Sequence, residues 1–161
     1  MKQYKIKAGT RYPNLLDVPI PKFSTNESFS HKYIIEADNY DFGIRLYDWA
    51  TLCGVGTGLN QNINSVRAVW RFNANRSTFE WKIVREVNKV AIASDSLFGA
   101  TCIATYNIDE KTFDIQVDSE RATYNMGSMD DRSILWCPII LNLQPHFVSE
   151  PANADYKIMK I

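Results

Sequence analysis

The fold is decided by two runs, Val66-Arg67-Ala68-Val69-Trp70-Arg71-Phe72 and Phe79-Glu80-Trp81-Lys82-Ile83-Val84. In each run every second side chain is apolar. A repeat of two residues is the period of a β-strand and not of a helix. Between the runs lies the polar, turn-forming stretch Asn73-Ala74-Asn75-Arg76-Ser77. The pattern predicts an antiparallel hairpin with one face buried in a core.

The register of this hairpin follows from its side chains. Placing Trp70 opposite Trp81 pairs aromatic rings on the inner face of the hairpin. The same register places Arg71 opposite Glu80, so that opposite charges meet on the outer face. The predicted cross-strand pairs are therefore Phe72–Phe79, Trp70–Trp81 and Arg71–Glu80.

Further strands are predicted on both sides of the hairpin, separated by polar turns. Residues 134–143 are nearly continuously apolar, and β-branched residues and Pro138 in their middle favour a buried strand over a helix. Trp136 is therefore expected inside, as are Trp70 and Trp81. Outside the hairpin, the predicted strands are Tyr4–Ala8, Thr101–Tyr106, Phe113–Val117, Arg121–Met126, Ile134–Leu143 and Tyr156–Ile161.

Helical patterns are nearly absent. Residues 48–53 form the best candidate for a single helical turn, with Asp48 as its cap. The glycines at 54, 56 and 58 are expected to end that turn and to form a flexible loop at the rim. Short strands with polar turns predict an all-β fold, an antiparallel β-sandwich or jelly roll. We interpret residues 1–161 as a single domain, with residues 9–30, which contain three prolines, as an extended arm laid over the sandwich.

Composition excludes several classes of function. The 161 residues carry 18 basic and 18 acidic side chains, which argues against nucleic-acid binding and against a polybasic membrane surface. No apolar run is long enough to span a bilayer, and the charged N-terminus lacks the apolar stretch of a signal peptide. Three scattered cysteines and two histidines predict buried thiols in a reducing compartment, with neither a disulfide framework nor a metal site. No cofactor is expected.

No motif for catalysis stands out. The acidic residues Glu36, Asp38 and Asp41 resemble the carboxylate cluster of one glycanase group, but their spacing along a strand and turn directs the outer two apart. The glycine-rich loop is followed by neither a helix start nor a lysine, so it does not predict a phosphate site. Neither His31 nor His146 has the local sequence of a catalytic base. We therefore expect a protein that is not an enzyme.

A ligand site, if the protein has one, is predicted beside the glycine loop. Trp49 is the tryptophan with the best claim to exposure, and exposed aromatic rings with nearby amides and carboxylates are typical of sugar sites. The predicted rim consists of Asp48, Trp49, Asn60, Gln61 and Asn62.

The order of the motifs resembles the concanavalin-like jelly roll of legume lectins and laminin-G modules. Three segments carry this resemblance: the strand Phe113–Asp118, the segment Leu141–Phe147 with the later Pro151, and the closing strand Asp155–Ile161. The resemblance implies a two-layer sandwich that ends on a strand.

The chain is also similar to small virion proteins of tailed phages that infect Bacteroidetes, including crAss-like phages. The matching elements are Ile6-Lys7-Ala8-Gly9, Tyr40-Asp41-Phe42-Gly43 and Pro145-His146-Phe147 with Pro151. This likeness implies a structural virion protein, capsid-decorating or of the head-fibre type, assembled in the bacterial cytoplasm. Its implied partners are other virion proteins or further copies of itself, in a homo-oligomer such as a trimer. The alternative is a lectin-like carbohydrate-binding module that mediates adhesion to glycans.

Overall fold

The computed structural model describes residues 1–37, 49–58, 60 and 63–161. Within these ranges the chain is almost entirely β-structure, with a 3₁₀ turn at Met129–Asp131 that runs into the short helix α1, Arg132–Leu135. The strands are β1 (Lys2–Ile6), β2 (Lys22–Thr25), β3 (Phe29–Ala37), β4 (Ala50–Gly56), β5 (Asn64–Asn73), β6 (Thr78–Val87), β7 (Val90–Ala93), β8 (Leu97–Phe98), β9 (Thr101–Asn107), β10 (Thr112–Val117), β11 (Glu120–Asn125), β12 (Ile139–Leu143), β13 (His146–Phe147) and β14 (Tyr156–Lys160).

Two antiparallel sheets pack face to face, which confirms the predicted β-sandwich. The first sheet has the strand order β1-β14-β3-β9-β10-β11. The second has the order β2-β12-β4-β5-β6-β7, with β13 beside β4 and β8 beside β6. The first and last strands pair with each other, Lys2 opposite Lys160 and Ile6 opposite Tyr156, so both predicted terminal strands are present with slightly different bounds.

The central hairpin of β5 and β6 has the register that its side chains predict. Phe72 pairs with Phe79, and Trp70 pairs with Trp81. Trp70 and Trp81 are almost completely buried, and the Trp70 ring meets further aromatic rings edge-on across the core. The Trp81 indole N–H donates to the carbonyl oxygen of Gly99 at 2.9 Å. Aromatic rings from both sheets therefore close the centre of the sandwich.

The expectation that only one face of β5 is buried was wrong. Arg67 and Val69 lie on the outer face of the strand and are nevertheless buried. Arg67 is stabilised in this buried position by its ion pair with the carboxylate of Glu86 on β6. A second outer pair joins Arg71 Nε to Glu80 Oε2 at 2.7 Å, as predicted. Buried charges persist because each is paired and hydrogen-bonded.

The predicted helical turn and glycine loop around residue 50 were also wrong. Residues 50–56 form β4, which pairs with β5 on one side and β12 on the other. Gly54 lies opposite Arg67, and a Cβ on Gly54 would come within 2.7 Å of the Arg67 Cα. The glycines here are therefore strand residues that allow close approach of a neighbouring backbone, which local sequence reasoning did not detect.

The predicted buried strand over residues 134–143 is confirmed only in its second half. Residues 132–135 are helical, β12 begins at Ile139, and the Trp136 side chain is 71% exposed. The helix is tied to the sandwich by Asp131, which directly precedes it and pairs with Arg85. It is tied on the other side by Asn26, whose amide donates to the carbonyls of Ile134 and Leu135. These long-range anchors outweigh the β-branched local sequence.

The three cysteines are free thiols. Cys53 and Cys102 are buried between the sheets, as expected, whereas Cys137 is only half-buried. Burial raises the pKa of Cys53 to about 12 and also raises the pKa of Cys102, so both thiols stay protonated near neutral pH.

Candidate functional site

A groove of about 540 Å³ lies between the arm and the β12–β13 turn. We call it the arm groove. Its walls combine prolines and aliphatic side chains with four side-chain amides, a phenol and an imidazole. They are formed by Tyr12, Pro13, Asn14, Pro19, Ile20, Pro21, Asn60, Leu141, Asn142, Leu143, Gln144, Pro145, His146 and Val148.

Asp17 holds the outer wall of the arm groove in shape. Its carboxylate Oδ1 accepts hydrogen bonds from the backbone N–H groups of Arg11 at 2.5 Å and Tyr12 at 2.9 Å. The Asn14 side-chain amide donates to the carbonyl of Val18 at 2.8 Å. The N–H of Phe147 donates to the Arg11 carbonyl at 2.9 Å, which ties the arm to β13. The wall is therefore a fixed turn and not a loose coil.

His146 is the buried polar group of the groove, with 6% of its surface exposed. Its ring stacks on Tyr12, with 5.5 Å between the ring centroids. Its Nδ1 lies 2.6 Å from the Gln144 carbonyl oxygen, which requires the proton on Nδ1. Burial lowers the pKa of His146 to about 4, and the positive charge of Arg67 acts in the same direction. The ring is therefore neutral near pH 7, and Nε2 is a hydrogen-bond acceptor.

Two acceptors of the groove residues lack partners within the described part of the chain. One is Nε2 of His146, and the other is the side-chain oxygen Oδ1 of Asn142, whose amide nitrogen donates to Ser24 at 2.6 Å. A buried acceptor without a donor costs about 1–3 kcal/mol.

The two described residues of the predicted rim, Trp49 and Asn60, line different parts of the surface. Asn60 lines the arm groove, whereas Trp49 lies over the outer face of β5 and β6. The Arg71 guanidinium carbon is 4.4 Å from the Trp49 ring centroid, and the Lys82 ammonium is 4.0 Å from it. Asp48, Gln61 and Asn62 lie outside the described residues. The rim as a ligand site stays a prediction.

Several acidic groups inside the described ranges are engaged in ion pairs. Asp131 binds Arg85, and Asp114 lies 2.8 Å from Arg121. Glu36, the first residue of the acidic sequence cluster, is exposed and lies 3.0 Å from Lys157, whereas Asp38 and Asp41 are outside the described residues. Among the residues that the structure describes, no group of three or more His, Cys, Asp or Glu side chains is placed to hold a metal ion. None of the described helices is long and apolar enough to cross a membrane.

The sequence did not reveal the arm groove. His146, which lacks the local sequence of a catalytic base, lies in β13 and is buried. The only local signal was the dense spacing of prolines at 13, 19, 21 and 145, which keeps both walls extended. Their meeting depends on the pairing of β2 with β12, which is a long-range contact.

Comparison with known proteins found similar solved structures but no related protein family. No protein-family model matches the sequence, and no curated protein matches it. One similar structure is the CBM2 module of the evolved Dit of Lactobacillus casei BL23 phage J-1, which is 7% identical, with 98% of this chain and 73% of that chain covered and a TM-score of 0.47. Another is a toad ovary galectin in complex with thio-digalactose, 11% identical, with 89% and 100% covered and a TM-score of 0.38. At these values neither likeness supports an inference about ligand or partner.

Proposed function

We propose that this chain is a non-catalytic structural module of a phage particle, a capsid-decorating or head-fibre component that acts through protein–protein contacts. The observation that carries the proposal is the apolar surface of the arm, most of which faces solvent in the isolated chain. The exposed large apolar side chains of the arm are Leu15, Leu16, Val18, Ile20 and Phe23.

This apolar surface continues onto the sandwich. Phe23 pairs with Leu141 across β2 and β12, which makes the exposed side chain of Ile139 its diagonal neighbour on the same face. Burying one such side chain against a partner contributes about 1.5–3 kcal/mol, so a handful of them is enough to drive association. Large exposed apolar patches mark interaction surfaces in soluble proteins.

The occupant that we propose is a second copy of this chain, in a homo-oligomer such as a trimer. Strand β2 is the edge of its sheet and belongs to the arm, so its free backbone groups can pair with an equivalent strand. Such self-association suits a virion component, assembled in the bacterial cytoplasm, that meets many identical copies and other virion proteins. The phage setting rests on the resemblance of the short sequence motifs.

Sedimentation velocity tests this proposal. We expect the wild-type chain to form a discrete oligomer and the triple variant Leu15→Ser, Leu16→Ser, Ile20→Ser to be monomeric, because the apolar contact is removed. The matched control is Val90→Ser, Ile92→Ser, which removes exposed apolar side chains from the opposite edge strand β7. A wild-type chain that is monomeric at its highest soluble concentration would contradict self-association, as would equal loss of the oligomer in the control.

A second function, carbohydrate binding, is favoured by the lining of the arm groove, in which side-chain amides lie among prolines and a phenol ring. Sugar hydroxyls are donors, and Tyr12 and the groove prolines offer the apolar contact that a sugar ring requires. A glycan array with wild type, Tyr12→Ala and Trp49→Ala separates the two possible locations. Loss of binding in Tyr12→Ala alone places the site in the groove, loss in Trp49→Ala alone places it at the predicted rim, and no response from the wild type contradicts this function.

A further inference from the structure

A second, smaller cavity opens between the two sheets, on the other side of the β12–β13 turn from the arm groove. Its volume is about 190 Å³, the space of several water molecules. Lys22 contributes to its wall from β2, while His31 and Lys160 contribute from β3 and β14. We call this cavity the basic cleft.

Lys22 and Lys160 line the basic cleft, and Lys2 is the strand neighbour of Lys160. Lys2 lies directly opposite Lys160 in the pairing of β1 and β14, and like charges in that position repel. Burial lowers the pKa of Lys160, and the positive charges of Lys22 and Lys2 lower it further. In the described part of the chain, none of the three has a carboxylate within ion-pair distance.

The same two strands show how such repulsion is normally relieved. Lys5 and Lys157 are also directly opposite each other, on the outer face of the sheet. Along each strand they lie three residues from the Lys2–Lys160 pair. There the Lys157 ammonium lies 3.0 Å from the Glu36 carboxylate. Lys22 and Lys160, which line the basic cleft, have no such carboxylate in the described part of the chain, although Lys160 is half-buried, where charge is screened less than at an exposed site.

The other groups of the cleft are compatible with an anion. The exposed Glu27 is the one acidic side chain in its wall, and its carboxylate already accepts the Thr25 hydroxyl at 2.7 Å. The hydroxyl oxygen of Ser28 accepts the N–H of Ile108 at 3.0 Å, which leaves the Ser28 proton available to donate. Burial and the charge of Lys160 lower the pKa of His31, so this ring adds a polar but uncharged wall.

We propose that the basic cleft binds an oxyanion group, a phosphate, sulfate or carboxylate, between Lys22 and Lys160. The anion supplies the negative charge that the opposed lysines lack, and a cleft lined by one sign of charge concentrates such ligands. Lys22 lies on β2, which belongs to the arm, but anion binding in the cleft requires no second copy and so does not depend on the function proposed above.

Isothermal titration calorimetry at pH 7 tests the site, with inorganic phosphate, sodium sulfate, glucuronate and neutral glucose as separate ligands at equal ionic strength. We expect saturable binding of at least one oxyanion and none of glucose. Lys160→Met should weaken that binding about tenfold or more, equivalent to about 1.4 kcal/mol. The matched control Lys5→Met removes the same charge from β1 on the outer face and should leave the affinity within about twofold.

The ligands also identify the source of the anion. Binding of phosphate or sulfate supports a free ion, whereas binding of glucuronate alone supports an acidic saccharide. If Lys160→Met does not fold, Lys22→Met takes its place, because the Lys22 side chain is exposed and not needed for the core. The proposal is overturned if no oxyanion binds saturably, if glucose binds equally, or if Lys5→Met weakens binding as much as Lys160→Met.

Discussion

Arg85 and Asp131 form a completely buried ion pair at one end of the sandwich, with side-chain exposures of 1% and 0%. The Arg85 guanidinium also donates to the carbonyls of Ser65, Glu86 and Asp130. Asp131 in turn accepts the hydroxyl of Ser128 at 2.7 Å. Through this pair Arg85, which faces the inner side of β6, holds the helical turn at residues 129–135 against the sandwich.

Removing one partner of this pair should be costly. We expect Asp131→Ala to lower the free energy of unfolding by about 3–5 kcal/mol, because it leaves a buried guanidinium uncompensated. The double variant Arg85→Met, Asp131→Leu should recover much of that loss, since neither charge remains. Urea denaturation measures both.

The control for this experiment is Lys157→Ala, which breaks the exposed pair with Glu36 and should cost about 0–1 kcal/mol. A loss of the same size in Lys157→Ala and Asp131→Ala would contradict the assignment of Asp131 as a buried anchor.

His146 should make stability depend on pH. Its folded pKa of about 4 lies below the unfolded value near 6.5, so the unfolded state binds more protons between these values. Stability is therefore fully present above about pH 6.5 and is lost as the pH falls toward 4, by up to about 3 kcal/mol from this residue. His31, whose pKa is also lowered, contributes in the same direction.

Urea denaturation between pH 7 and 4 tests this expectation in His146→Gln. Because the variant cannot take up the proton, its free energy of unfolding should fall less steeply with decreasing pH than that of the wild type. His31 is present in both proteins and cancels in the comparison. Parallel curves for the two proteins would show that His146 is protonated equally in the folded and unfolded states.

At the scale of elements, β4 and β5 approach each other more closely than side chains normally allow. Gly54 faces Arg67, and Gly56 faces Ser65. The missing Cβ atoms make room for the Arg67 backbone and for its outward path to Glu86. The glycines thus set the position of β5, which carries the buried Trp70 of the aromatic core.

We expect Gly54→Ala to destabilise the protein by about 1–3 kcal/mol, because the added methyl group would overlap the Arg67 backbone. Gly127→Ala is the matched control, since a Cβ there meets nothing within 4 Å. Thermal unfolding compares the two, and an equal melting temperature for both variants would show that β4 can shift without cost.

At the scale of the whole molecule, the charge balance matters for assembly. The chain carries 18 positive and 18 negative side chains, so one copy exerts little long-range force on another. The proposed self-association therefore depends on apolar burial by the arm, whereas the basic cleft depends on local charge. The two proposed interactions should respond differently to salt.

We expect the dissociation constant of the oligomer to change by less than about threefold between ~0.1 and ~1 M NaCl, across which the Debye length falls from ~10 to ~3 Å. Oxyanion binding should weaken strongly over the same range. Sedimentation equilibrium and calorimetry measure these two dependences. An oligomer that dissociates steeply with salt would indicate an interface built on charge instead of the apolar arm.

The sequence by itself determined the all-β class, the two-layer antiparallel sandwich and the register of the central hairpin. These features follow from local alternation and cross-strand pairing, in which neighbours along the chain already carry the information. Trp70, Trp81 and the Arg71–Glu80 pair lie as their spacing predicts.

Only the tertiary structure decided where long-range contacts override the local sequence pattern. Trp136 is exposed. The glycines of β4 are strand residues and residues 132–135 are helical, each because of a partner distant in sequence. The arm groove and the basic cleft arise in the same way, since their walls come from opposite ends of the chain. A pattern of residues records which face of a strand is apolar, but not which distant segment will cover it.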